Sequence, residues 1–322
     1  SFIELYTVRK RRLVEYMLGM GEYYFPIFEQ VLGANKLPLE LRYLPVIESA
    51  LNATAVSRMG AAGLWQFMPA TGRMYGLEIN ALIDERLDPV KSTHAAVRFM
   101  RDLYSMYGDW HLVIAAYNCG PGNVNKAIRR SGGKRDYWEI YPYLPAETRG
   151  YVPIFIAATY AMHYADKHNL CKANVQMPTI SDTIVVRRGM HLAQISKALD
   201  LPLEHIKLLN PQFRKDYIPG DVKPYVLNLP LNYANGFYDK FDYIVSLEND
   251  SVIQAQIAQI DRRVKEKPMT SSNSKHKYHK VQRGQSLGSI AARYGVSVTK
   301  LKQWNGLRSN LIKPGQRLKI LS

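Results

Sequence analysis

The sequence predicts an α+β multidomain chain, with a mostly α domain over residues 1–180, two small βααβ modules at 181–230 and 276–322, and a joining segment at 231–275. Three observations carry that prediction. The first 180 residues show helical apolar spacing throughout and almost no strand-like alternation. Residues 183–220 can be laid over 278–315 at a constant offset of 95 without a gap. A length of 322 residues also suits roughly two domains or more better than one.

In the helical part, Pro38 to Leu51 carries Leu41, Leu44, Glu48 and Leu51 at i, i+3, i+7 and i+10, which places Glu48 in the apolar stripe of a helix. Desolvation there disfavours the charged carboxylate and raises its pKa, as a general acid near neutral pH requires. Taken alone, the pattern is more commonly that of a buried Glu48 paired with Arg42 or Arg58. Next comes Ser57-Arg-Met-Gly60-Ala-Ala-Gly63-Leu-Trp65-Gln66, whose glycines mark tight backbone approach to a helix or a ligand. Ser57 fits a turn hydroxyl, and Trp65 fits either a core ring or a platform for a sugar. Asp88-Pro89 reads as a helix start. Ala115-Ala-Tyr117-Asn118-Cys119-Gly120 closes the helix that contains Trp110 and Val113, where Asn118 and Gly120 suit a C-cap and Tyr117 a packed ring. Glu147-Thr-Arg-Gly-Tyr151-Val-Pro153 opens the last long helix of this part, and Tyr151 by itself fits a core aromatic there.

Each repeat copy reads as strand, helix, helix, strand. The identities include Val186/Val281, Gly189/Gly284, Leu192/Leu287, Ile195/Ile290, Asn210/Asn305 and Gly220/Gly315. In the second copy Leu287, Ile290, Ala291 and Tyr294 recur at helical spacing, as do Val298, Leu301 and Trp304, before a closing strand on Leu318 and Ile320. The first copy departs at Met190-His191 and is stretched from Asp221 to Pro230. Between the copies, Ile253, Ile257, Ile260 and Val264 predict a short amphipathic helix, and Lys267 to Ser274 a polar linker.

With 47% hydrophobic and 22% charged residues, the composition excludes a wholly disordered or low-complexity chain. The run from Tyr151 to Ala165, broken by Pro153 and His163, falls short of the roughly 20 apolar residues that cross a bilayer. The start at Ser1, and Glu15 just after the basic run Arg9 to Arg12, read as a trimmed chain whose address label is missing. Cys119 and Cys171 cannot build a disulfide framework, although one bridge stays open, and His94, His111 and His163 show no ligand-like grouping, so no metal or organic cofactor is expected. The net charge of +16 is concentrated at the end, where residues 275–322 hold 11 basic and no acidic side chains. Such a surface attracts nucleic acid, an anionic membrane or an acidic wall polymer, and charge alone does not choose among them.

The four motifs in order, Glu48-Ser49, Gly-Leu-Trp-Gln, Ala-Tyr-Asn and Arg-Gly-Tyr-Val, resemble those of lytic murein transglycosylases with a goose-lysozyme-like fold. The repeats resemble LysM modules, and the combination is similar to the membrane-bound D type of that family. The likeness covers residues 1–180 for the lysozyme-like domain and 181–230 with 276–322 for the modules. It implies that Glu48 is catalytic, as acid and then base, with Ser57 orienting it. Gln66, Tyr117 and Asn118 would line sugar subsites, Tyr151 would sit close to the acid, and Trp65 would touch substrate where many relatives outside the D type have methionine.

The reaction implied is cleavage of the bond between N-acetylmuramic acid and N-acetylglucosamine with formation of a 1,6-anhydro ring. Asp84, Glu85 and Asp88, the nearest candidates for a second catalytic carboxylate, read instead as a cap and local ion pairs. The resemblance further implies peptidoglycan strands as substrate and N-acetylglucosamine-containing glycan as LysM ligand, the second copy ahead of the first. It implies a cell-envelope, periplasmic location with an upstream lipid anchor as the membrane link. Nucleic acid is not an expected partner, since only electrostatics supports it. A hydrolytic muramidase or chitinase of the same fold, and an inactive wall-binding protein, are the competing readings.

Overall fold

The structure, a computed structural model, describes residues 1–249 except 176, 178 and 179, residue 254, and residues 277–320 except 283, 284, 295–297, 308, 310, 313 and 314. The chain divides into two units, Ser1–Ala258 and Gln259–Ser322. The first begins with a short α1 (Phe2–Glu4) capped by Ser1, passes through a π-helical turn (Leu5–Arg9) and continues as α2 (Arg11–Ala34). Val14, Met17, Tyr24, Phe28 and Val31 form the buried stripe that seats α2.

A 3-10 turn (Leu39–Tyr43) leads into α3 (Leu44–Ser49). The single helix expected over 38–51 is therefore divided. It also stops at Ser49, because Ala50 and Leu51 take left-handed conformations with φ of 52° and 58°. Helices α4 (Pro69–Met74), α5 (Pro89–Tyr107), α6 (Trp110–Cys119), α7 (Pro121–Arg130), α8 (Tyr137–Ile140) and α9 (Ala146–His163) follow. Asp88 and Asp109 cap α5 and α6, each accepting free first-turn N–H groups. In α9, Pro153 offers no N–H to the Arg149 carbonyl, and the buried Tyr137 hydroxyl donates to it instead at 2.7 Å. Phe28, Trp65, Leu103 and Leu112 lie in the shared core of these helices. Cys119 and Cys171 are both free, and no described helix is long and apolar enough to cross a membrane.

The first module contains β1 (Ser181–Val186), β2 (Gly189–His191), α10 (Leu192–Leu199), α11 (Leu203–Leu209), β3 (Tyr217–Pro219) and β4 (Tyr225–Pro230). β1 pairs antiparallel with β4, and β2 with β3. Its expected end at residue 230 is corrected by α12 (Leu231–Asp239) and α13 (Phe241–Ser246). They fold back so that Ala234, Phe237, Ile244 and Leu247 share a core with Ile195 and Leu227. Two short helices and two-stranded sheets leave apolar surface open, and α12 and α13 cover it. Apart from Gln254, which is helical, the helix predicted on Ile253 to Val264 and the linker at Lys267 to Ser274 lie outside the described residues.

The module also docks on the helical domain. Ile83 bridges to Phe213, the Asp84 N–H donates to the Gln212 carbonyl at 2.9 Å, and the Arg214 N–H donates to that of Leu82 at 2.8 Å. The Glu78 carboxylate accepts from Tyr225 at 3.0 Å and pairs with Lys223 at 2.7 Å.

In the second unit, β5 (Lys277–Lys280) and β6 (Arg317–Ile320) pair antiparallel beside α14 (Leu287–Arg293) and α15 (Val298–Trp304). One repeated residue does the same work in both copies. Asn305 donates to the carbonyls of Leu301 and Lys319 and accepts the Lys319 N–H, while Asn210 makes the matching bonds to Ile206 and Asn228. The strand partner is 18 residues on in the first copy and 14 in the second, which is the stretch seen after Asp221.

Replacing Asn210 with alanine strands three backbone groups between helix and strand, and the expected cost is about 2–4 kcal/mol. Hydrogen exchange at the Asn228 amide, with thermal unfolding of the full chain, reads this; unchanged protection would show that the amide does not hold the strand.

Candidate active site

Glu48 is the penultimate residue of α3, so its side chain leaves the helix just where the backbone turns away. It opens on a cavity of about 410 Å³ lined also by Tyr6, Lys10, Val46, Ser57 and Gln66. Among the described residues lining that cavity, Glu48 is the one carboxylate. From α9, the Tyr151 hydroxyl donates to Glu48 Oε1. The ion pair considered for Glu48 is not made by Arg42, which pairs with Glu29 instead.

Burial raises the Glu48 carboxyl from its ordinary 4.5 to about 7. The hydrogen bond from Tyr151 opposes that rise, because it favours the charged form, and the negative charge of Glu147 adds to it. Tyr151 and Tyr117 are themselves pushed well above the usual phenol range, first by burial and then by Glu48. Both phenols therefore stay protonated, as donors.

The loop facing Glu48 is held from both sides. Ser49 Oγ lies 3.0 Å from the carbonyl oxygens of both Pro45 and Leu64, which ties the end of α3 to the Gly63–Gln66 turn. Gly63 has φ of 84°, and a Cβ there would stand 1.8 Å from the Arg86 carbonyl oxygen, so only glycine fits. The Arg86 guanidinium donates to the carbonyls of Gly60 at 2.7 Å and Phe67 at 3.0 Å while pairing with Asp84 at 2.7 Å. Glu85 pairs with Lys91 at 2.6 Å, and Asp88 accepts two N–H groups of α5. These three carboxylates are thus occupied in structure.

The remaining candidates take different places. Ser57 lines the cavity, but its hydroxyl accepts the Ala61 N–H at 3.0 Å, and among the described residues no hydrogen bond joins it to Glu48. Gln66, at φ of 47°, lines the cavity and donates to the carbonyls of Gly63 and Ala55. Tyr117 and Asn118 do not line it. The Tyr117 hydroxyl donates to the Trp65 carbonyl at 2.7 Å, and Asn118 Oδ1 accepts from Thr148 at 2.9 Å, which joins α6 to α9.

Trp65 requires a correction. It is fully buried, its indole N–H donates to Thr93 Oγ1 at 2.9 Å, and its ring packs on Phe28, so it cannot touch a sugar. A large apolar ring with one donor is best satisfied by a dry core that supplies one hydroxyl. Only its carbonyl serves the site. Sequence reasoning missed Tyr6 and Lys10, because nothing local predicts that the first helical turns return to Glu48.

Comparison with known proteins follows the same lines. The family model described as the transglycosylase SLT domain matches residues 26–140, that of the MltD LysM-like domain residues 181–245, and that of the LysM domain residues 279–321. Membrane-bound lytic murein transglycosylase D of Escherichia coli is 32% identical over 326 residues, covering 98% of this chain and 67% of that protein. Soluble lytic murein transglycosylase of Escherichia coli is 33% identical over 161 residues, covering 47% of this chain and 25% of that one. The crystal structure of the 70 kDa soluble lytic transglycosylase of Escherichia coli aligns at a TM-score of 0.39 and 28% identity, over 47% of this chain and 26% of that one.

Between pH 4.5 and about 7 the folded chain keeps the Glu48 proton that the unfolded chain has released, so stability falls as pH rises through that window. Glu48→Gln does not titrate there. It should gain on the wild type between pH 4 and pH 8 by up to about 3 kcal/mol, read as a Tm difference that grows with pH. An equal effect at both pH values would mean that the carboxyl does not titrate in this range.

Proposed function

Because the chain belongs to the family of membrane-bound lytic murein transglycosylase D and is a peptidoglycan lytic transglycosylase, we propose that Glu48 alone serves its reaction, first as acid and then as base. The observation that carries this reading is a cavity-facing carboxyl lifted to about 7 whose Oε1 is already taken by the Tyr151 hydroxyl. The acidic proton then resides on Oε2.

In the first step that proton passes to the glycosidic oxygen between N-acetylmuramic acid and N-acetylglucosamine. The bond from that oxygen to the anomeric carbon breaks, its electron pair goes to the oxygen, and the acetamido carbonyl of the muramic residue supports the positive charge. Glu48, now ionised, keeps the Tyr151 hydrogen bond that stabilises its charge. In the second step it takes the proton of the same sugar's 6-hydroxyl while that oxygen bonds to the anomeric carbon. The 1,6-anhydro ring closes, Glu48 is again protonated, and no water is consumed. Nucleophile and electrophile share one sugar, so the large effective molarity removes the need for a second carboxylate.

Ser57 and Gln66, on the cavity wall, are assigned to sugar binding. Tyr117 and Asn118 hold the loop and α9 that frame it. The helical domain cuts while the module at 276–322 holds N-acetylglucosamine-containing glycan, aided by its positive charge. The first module is the weaker binder, since its surface is engaged on residues 78–84. A periplasmic location, where murein lies, belongs to the same reading, with an upstream lipid as the attachment to a membrane.

Glu48→Gln is expected to lower anhydro-ended product from isolated peptidoglycan by at least about 100-fold, read by mass spectrometry of the digest. Near-normal turnover would overturn the assignment, and reducing ends from the wild type would make it a hydrolase. Wild-type activity should fall as pH rises through about 7, because the protonated acid is lost. Tyr151→Phe removes a bond that favours ionisation, so it should move this limb to higher pH; an unmoved limb would assign the titration to another group.

A further inference from the structure

The basic run Arg9 to Arg12, which the catalytic reading leaves unused, meets the Glu48 cavity. Tyr6 and Lys10 both line it, although they precede residues 26–140 matched by the transglycosylase domain. They are carried by the π-helical turn and its junction with α2, where Lys10 has φ of −110° and ψ of 28°, outside helical geometry, while its N–H donates to the Leu5 carbonyl at 2.8 Å. Such turns recur where a helix must present side chains to a functional site. The segment is anchored. Thr7 donates to the Ile3 carbonyl at 3.0 Å, and Arg11 donates to the carbonyls of His168 and Asn169.

Two of the neighbouring cations, Arg9 and Arg11, are spent on the protein itself. Arg9 pairs with Glu4 at 3.4 Å and Arg11 with Glu15 at 3.3 Å. Among the described residues Lys10 has no such partner, and the one carboxyl lining the cavity is held towards its neutral form by burial. Tyr6 is only 8% exposed, yet its hydroxyl has no hydrogen-bond partner among the described residues. An ammonium with three donors and a phenol with one, both lining the cavity and neither hydrogen-bonded to a described residue, suit an anionic oxygen ligand.

We propose that Lys10 is a specificity-determining residue that binds a carboxylate of the murein substrate, with the Tyr6 hydroxyl giving a second hydrogen bond from the same turn. The inference rests on the lytic reading, because that substrate brings carboxylates to the cavity, either on stem peptides or on the lactyl group once a stem is removed. The ammonium selects strands by their charge before the bond is cut, and the proton chemistry remains with Glu48.

The test is steady-state turnover of the full chain on three preparations of glycan strands: peptide-bearing, amidase-stripped, and carbodiimide-treated with methylamine so that every carboxylate is an amide. Lys10→Met should raise KM on peptide-bearing strands about two- to fivefold, the range for one partly exposed charge pair, and raise it more than it lowers kcat. Lys10→Arg should restore most of the affinity, and Tyr6→Phe should raise KM in the same direction. On amidated strands the difference from wild type should disappear. A rise that persists on stripped strands assigns the lactyl carboxylate, and one lost there assigns the stem; both support the proposal. An unchanged KM on peptide-bearing strands, or an equal rise on amidated ones, overturns it. Since Glu48→Gln reports on chemistry and Lys10→Met on charge-dependent KM, the two readings fail separately.

Discussion

The hydrogen bond from the Tyr151 hydroxyl to Glu48 Oε1 joins α9 to the last turn of α3, and the candidate site is arranged around it. Two opposed effects meet at that carboxyl. Burial raises its pKa and makes it a proton donor, while the phenol stabilises the anion left after donation and makes it a usable base. Either effect alone would favour one half of an acid and base cycle at the expense of the other. The surrounding bonds keep the pair in register. Ser49 holds the end of α3 to the Leu64 carbonyl, Thr148 ties α9 to Asn118, and Tyr137 replaces the hydrogen bond that Pro153 removes from α9.

The same logic extends to the loop opposite. Residues 57–67 pack through Ala62, Leu64, Trp65 and Phe67, and the loop is fixed further by hydrogen bonds to Arg86, itself held by Asp84 in a buried ion pair. The first module docks beside that pair through the backbone of Leu82 and Asp84. A module that looks like an accessory binder in the repeat pattern is therefore part of the scaffold under the loop, while its relative at the end of the chain keeps a separate unit and a strong positive charge.

Much of this was legible in the residues. The position of Glu48 in an apolar stripe, the cap at Asp88, and the equivalence of Asn210 and Asn305 all follow from short-range pattern, because helix spacing and turn chemistry act over a few residues. The boundary of the first module was misplaced for the opposite reason. The covering role of Phe237 and Ile244 depends on which surface β1 and β4 leave open, and spacing within 231–247 does not contain that information. Trp65 was assigned to substrate by the family likeness, whereas a tryptophan in such a loop is more often a core ring, and burial chose the core.

The chain by itself determined the helical domain, the two βααβ copies and an acid placed among apolar neighbours, since each is written in periodicity or in repetition. Only the tertiary structure decided which groups share the space around that acid. Tyr6 and Lys10, Gln66, and Tyr151 come from three separate segments, and their convergence is set by how α2, α3 and α9 pack and by the Gly63 turn. Packing is a property of surfaces that exist only once the helices have met, so no local pattern could have announced it.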